Sequence, residues 1–109
     1  MEIRADSKDF SRIYENLTDE PIKAVITEVI TSLKNDRIVG EHVKYETIPK
    51  YYIKRHNIQT LYRVSLPHGW RLVYSIHSFY ENEKTVLMLE LMNHHQYNKR
   101  FGYFKKRSA

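Results

Sequence analysis

Cysteine is absent from the 109 residues, which excludes disulfides, thiol nucleophiles and zinc–thiolate sites. Glycine and proline are scarce, three of each, so long linkers are not expected. No long hydrophobic run occurs. The longest apolar stretch, Val86 to Leu89, falls far short of the ~20 residues that span a membrane as a helix. The opening residues, Met1-Glu2-Ile3-Arg4-Ala5-Asp6, lack the basic-then-apolar plan of a signal peptide. A cytoplasmic protein is therefore expected. There is no P-loop, GxGxxG or GxSxG motif. The six histidines lack the i, i+4 spacing of a helical metal pair, and adjacent His94-His95 is a poor chelate, so no metal or cofactor is expected.

Hydrophobic residues make up 41% of the chain, which suits a globular protein. A chain of this length can bury roughly two-thirds of its unfolded surface, enough for one domain over residues 1–109 without staples. Net charge is +5, and residues 49–109 hold eleven of the eighteen Lys and Arg residues. The C-terminal half is the electropositive half. Such a field attracts polyanions, above all nucleic acid.

Periodicity predicts the elements in order. Ile3 and Ala5 alternate with Arg4 as in a short strand, and Asp6 or Ser7 is placed to cap a helix. Phe10, Ile13, Tyr14 and Leu17 share one helical face. Thr18 is a candidate N-cap for a second helix, with Pro21 tolerated in its first turn. Ile22, Val25, Ile26, Val29, Ile30 and Leu33 then keep a 3.6 period without a miss. Several of these residues are β-branched, but period outweighs propensity here. Asn35 and Gly40 close the segment. Residues 41–58 read as a connection ending in a short helical turn over Lys50 to His56, where aromatic and cationic residues interleave.

From Leu61 the period becomes two, which predicts three half-buried antiparallel strands. Tyr62, Val64 and Leu66 form one apolar set, Trp70, Leu72, Tyr74 and Ile76 the next, and Leu87, Leu89 and Leu91 the third. A two-residue loop at His68-Gly69 would set Leu66 opposite Arg71 and mix the faces. A three-residue loop, Pro67-His68-Gly69, sets Leu66 opposite Trp70, Val64 opposite Leu72 and Tyr62 opposite Tyr74. The longer loop is the consistent one. It leaves Arg63, Ser65, Arg71, Val73, Ser75 and Glu90 on the other face, expected to be open or shallowly covered. Arg71 then lies opposite Ser65, with Arg63 one diagonal step, roughly 7–8 Å, away. Two rigidly held guanidinium groups match a phosphodiester. The bland alternative is a cross-strand Arg71–Glu90 ion pair that only solubilises the sheet.

Beyond the last strand the chain reads Asn93-His94-His95-Gln96-Tyr97-Asn98-Lys99-Arg100-Phe101-Gly102-Tyr103. Imidazole moves protons near neutral pH, phenol and guanidinium donate to oxyanions, and aromatic rings stack bases. A purely structural alternative is a basic helix docking Tyr97, Phe101 and Phe104 on the core.

The strand Gly69-Trp70-Arg71-Leu72-Val73-Tyr74-Ser75-Ile76, preceded by Leu61-Tyr62-Arg63 and followed by His94, His95 and Tyr97, resembles the RelE/ParE toxin superfamily. The resemblance implies an α+β fold: an N-terminal strand and two helices packed on an antiparallel β-meander, with a short C-terminal helix. It implies a toxin of a type II toxin–antitoxin pair. Such a protein is a metal-independent endoribonuclease that cuts mRNA on the ribosome, inhibits translation and is neutralised by an antitoxin protein. Carried onto this chain, the catalytic set is Arg71, Arg63, His94 or His95, and Tyr97. Lys54, Arg55, Lys99, Arg100 and Tyr103 contact RNA, with Lys105, Lys106 and Arg107 as further basic surface. Glu90 is a candidate general base. The same superfamily leaves two other outcomes open: a ParE-like poison of DNA gyrase, or a toxin fold that binds RNA without cutting it.

Overall fold

The computed structural model describes residues 1–80 and 83–103. Strand β1 (Glu2–Ala5) leads through a π-helical turn, Ser7–Ser11, into α1 (Arg12–Glu15) and the long helix α2 (Glu20–Lys34). A two-residue strand β2 (Glu41–His42), a 3-10 turn (Tyr45–Thr47) and helix α3 (Lys50–His56) come next. The hairpin strands are β3 (Tyr62–Ser65), β4 (Arg71–Tyr80) and β5 (Glu83–Met92), and helix α4 (His94–Arg100) comes last. The fold is α+β. No helix among the described residues is long and apolar enough to cross a membrane.

Local capping explains the first helices. The Asp6 carboxylate accepts from the Lys8 and Asp9 amides, as an N-cap should. The α2 cap is Asp19, whose side chain accepts from the Ile22 amide, rather than Thr18. Pro21 then occupies the first turn, where its missing N–H costs nothing. Asn35 ends α2.

The sheet has five strands in the order β1-β5-β4-β3-β2, and it is mixed. β3, β4 and β5 form the expected antiparallel meander, whereas β1 runs parallel to β5, pairing Ile3 with Val86. The expected hairpin register is present. Tyr62 pairs with Tyr74, Val64 with Leu72 and Ser65 with Arg71, and Leu66 N–H donates to Trp70 C=O across the Pro67–Gly69 turn. The turn needs two left-handed residues, His68 (φ 61°) and Gly69 (φ 77°).

Two expectations are corrected. A β-bulge on β5 lets Val73 pair with Glu90 and Tyr74 with Met88, leaving Leu89 as the extra residue. Leu87, Leu89 and Leu91 therefore do not share a face. Val86, Met88 and Leu91 join the core under α1 and α2, whereas Leu87 and Leu89 pack on the opposite side. That opposite side is not open. Tyr52 of α3, Tyr97 of α4, and Val43, Ile48, Ile58 and Leu61 from the connections cover it with a second apolar cluster around Val73, Leu89 and Met92. The sheet is thus covered on both faces, and Ser75 and Glu90 are buried.

Polar pairs pin the connections to this frame. Tyr74 donates to the Val39 carbonyl and accepts from the Val39 amide, and burial pushes its phenol up to about 12. Arg55 Nε donates to Asp6 at 2.9 Å, tying α3 to the start of the π turn. Burial alone would raise the Asp6 carboxyl, but the Arg55 hydrogen bond and the two cap amides together lower it. A lowered folded-state pKa stabilises the fold above the unfolded carboxyl pKa of about 4, and that stabilisation fades as pH falls through the folded value. Asp6→Asn keeps the cap but loses the charge. We expect it to cost about 1.5–3 kcal/mol at pH 7, the range for hydrogen bonds to charged groups, with the deficit shrinking below about pH 4. Urea denaturation of both proteins at pH 7 and pH 3 measures this.

Candidate functional site

The exposed margin of the second face, where β3 and β4 meet α4, gathers the arginines and tyrosines. β3 presents Arg63 opposite Val73, and β4 begins with Arg71, between Ser65 and Met92. The chain turns into α4 immediately after Met92. Asn93 and Gln96 close a capping box there, each side chain bonded to the other's backbone. This start sets the rotation of the seven-residue helix and drops Tyr97 into the second core.

Tyr97 lies between the two guanidinium groups. Arg63 Nη1 donates to its hydroxyl at 2.9 Å, and the Arg71 guanidinium stands 5.3 Å from its ring centroid. Tyr103 completes the group: its hydroxyl accepts from Arg63 at 3.2 Å, and its ring meets Tyr97 edge-on at 5.9 Å. Phe101 packs on Tyr97 at 4.5 Å. Arg71 donates to the carbonyl of Trp70 at 3.0 Å and, among the described residues, has no carboxylate partner. Arg63 does have one, Glu41 of β2, at 3.1 Å.

These contacts set the electrostatics. Burial raises the Tyr97 phenol first, and bonding to Tyr103 raises it further, against the opposing pull of Arg63. Tyr97 is therefore a neutral donor near pH 7. Burial would lower Arg63, but its bonds to Glu41 and Tyr97 dominate and hold it firmly charged. Among the described residues, the margin pairs one compensated and one uncompensated cation with two phenols. That combination grips an oxyanion through planar, charge-assisted hydrogen bonds.

Of the predicted site residues, Arg63, Arg71, Tyr97 and Tyr103 come together. His94 opens α4 beside the β3–β4 turn: a Cβ placed on Gly69 would lie 3.2 Å from the His94 Cβ. Its Nε2 lies 3.1 Å from the Asn98 amide nitrogen. His95 is exposed on the same first turn. Lys54 is exposed on α3, and Lys99 on the flank of α4 turned away from Arg63.

Arg55 and Arg100 are both tied into the fold by carboxylates, Arg55 while remaining exposed. Arg55 is paired with Asp6 and sits 3.7 Å from Asp9. Arg100 forks both oxygens of Glu90 at 3.0 Å, and its guanidinium carbon stands over the Tyr51 ring at 3.6 Å from the centroid. The expected alternative of an Arg71–Glu90 pair is thus replaced by Arg100–Glu90, with Tyr52 also donating to Glu90. Glu90 is thus engaged by three donors, two from Arg100 and one from Tyr52. Lys105, Lys106, Arg107 and Phe104 lie outside the described residues.

Sequence reasoning missed Glu41, the partner that orients Arg63. It also missed Lys44 and His42, which share with Arg63 and Tyr103 a cleft of about 520 Å³ beyond β2. The only sequence signal was the polar pair Glu41-His42 directly after Gly40. The backbone at Gly40 (φ 88°) passes so close to β3 that a Cβ would stand 2.3 Å from the Arg63 carbonyl oxygen. No protein-family model, curated protein or solved structure matches this chain.

Proposed function

We propose that this protein is a RelE-like endoribonuclease, the toxin of a toxin–antitoxin pair, which cuts mRNA on the ribosome. The observation that carries the reading is the convergence of Arg63 and Arg71 on one buried tyrosine at an exposed sheet margin. In the proposed reaction the ribose 2′-hydroxyl attacks the adjacent phosphorus, the P–O5′ bond breaks, and a 2′,3′-cyclic phosphate forms. Arg71, which has no carboxylate partner among the described residues, contacts the phosphate and the charge that grows on the phosphorane. Arg63, oriented by Glu41, supports it and fixes the Tyr97 hydroxyl. His94 or His95 takes the proton from the 2′-hydroxyl. Tyr97, kept neutral by burial, orients the phosphate or donates a proton toward O5′. Lys54 and Lys99 add to the field that attracts the RNA.

Primer extension on a reporter mRNA after induced expression tests the proposal, since cleavage creates new 5′ ends. Tyr97→Phe keeps the ring and the packing on Phe101 but removes the hydroxyl. We expect it to slow cleavage by about 10²-fold, in line with general-acid contributions. Cleavage at the wild-type rate would remove Tyr97 from the chemistry. Growth arrest with intact mRNA would point instead to a target such as gyrase.

A further inference from the structure

A second cleft, of about 550 Å³, lies on the other flank of α4, between that helix, α1 and the start of α3. Its floor is an internally satisfied polar network. Glu90 is engaged by Arg100 and Tyr52, and Asp9 accepts from the Tyr51 hydroxyl. Arg100 supplies the counter-charge of Glu90, and Arg55 lies 3.7 Å from Asp9. Its walls carry Arg12, Lys50 and Lys99, from three different elements, all exposed and none with a carboxylate partner among the described residues. Like charges around a concave wall raise the local potential more than the same charges on a flat surface. Ile13, Pro49 and Leu91 give the cleft an apolar side, and its volume lies within the range of small-ligand sites.

We propose that this cleft binds the phosphate of a nucleotide, either free or as a unit of single-stranded RNA. Arg12 supplies a planar fork to the phosphate oxygens and the two lysines supply point charges. The apolar side takes the sugar or base. The cleft is separate from the Arg63–Arg71 margin, because Gln96 and Lys99 line it whereas Tyr97 of the same helix turns into the second core. Anion binding in the cleft requires no cleavage and is independent of the nuclease reading.

The test is titration of ¹⁵N-labelled protein at low salt with AMP and, separately, with a single-stranded RNA octanucleotide, tracking backbone amide shifts. Saturable shifts are expected at Asp9, Tyr51 and Gln96. The variant Arg12→Ala/Lys50→Ala/Lys99→Ala should bind at least ~10-fold more weakly and lower the salt slope for RNA by about 2, at ~0.7 per lost contact. Lys99→Glu, a single exposed position, moves binding in the same direction should the triple variant not fold. A response to AMP identifies a free nucleotide as sufficient, and a response to RNA alone identifies the strand. Absence of saturable shifts at the cleft with both probes overturns the proposal. So does unchanged affinity and salt slope in the variants. Intact mRNA in expressing cells would remove the nuclease reading and leave this result standing.

Discussion

Arg71→Ala should abolish growth arrest and reduce mRNA cleavage by about 10²–10³-fold, the loss expected on removal of one preorganised transition-state donor. Its effect on stability should be small. Arg71 is half-buried and, among the described residues, holds no carboxylate, its contacts being a hydrogen bond to the Trp70 carbonyl and the face of Tyr97. A partly exposed cation–π contact contributes about 0.5–1 kcal/mol. Activity and stability therefore separate at this residue. Arg63→Ala offers no such separation, because it also leaves the Tyr97 and Tyr103 hydroxyls without their shared donor. Induced-expression growth curves with primer extension, beside thermal melts of the purified variant, give both readings. Full toxicity of Arg71→Ala would sink the proposed mechanism.

The largest effect on stability should come from Glu90→Ala. Glu90 is buried on β5 and holds the Arg100 fork and the Tyr52 hydroxyl together. Burial, then the Glu90 charge, raise the Tyr52 phenol far above its ordinary range, so it remains a donor to that carboxylate. Removing the carboxylate leaves a partly buried guanidinium without its counter-charge, which costs about 3–5 kcal/mol. A helix of seven residues has little stability of its own, so α4 depends on such anchors. Glu90→Ala/Arg100→Met should recover much of the loss, because a neutral side chain of similar length needs no partner. A urea double-mutant cycle measures the coupling. A loss under about 1 kcal/mol for Glu90→Ala would show that the apolar contacts of Tyr97 and Phe101 suffice to hold α4.

Much of the scaffold was legible because its signals are local. The 3.6 period from Ile22 to Leu33 and the face matching at the Pro67–Gly69 turn both rest on near neighbours in the chain, and both agree with the structure. The same alternation placed Arg63 and Arg71 on one face and predicted that Ser65 would oppose Arg71. Alternation failed at Leu89, where one extra residue reverses the faces of its neighbours on either side. A bulge leaves no mark in a run as uniformly apolar as Val86 to Leu89.

Composition and periodicity alone thus determined an α+β chain with a basic C-terminal half, its main helix, its hairpin register and the two arginines that share a face. Tertiary structure alone decided which cations remain available. Arg55, Arg63 and Arg100 find carboxylates far along the chain or across a helix, on Asp6, Glu41 and Glu90, and no local pattern encodes those pairings. Tertiary packing also decided that α3 and α4 cover the second face of the sheet, since each has too few residues to announce an apolar stripe. The physical reason is one of range. Period and turn chemistry act within a few residues, whereas charge compensation and burial depend on groups brought together only after the sheet has formed.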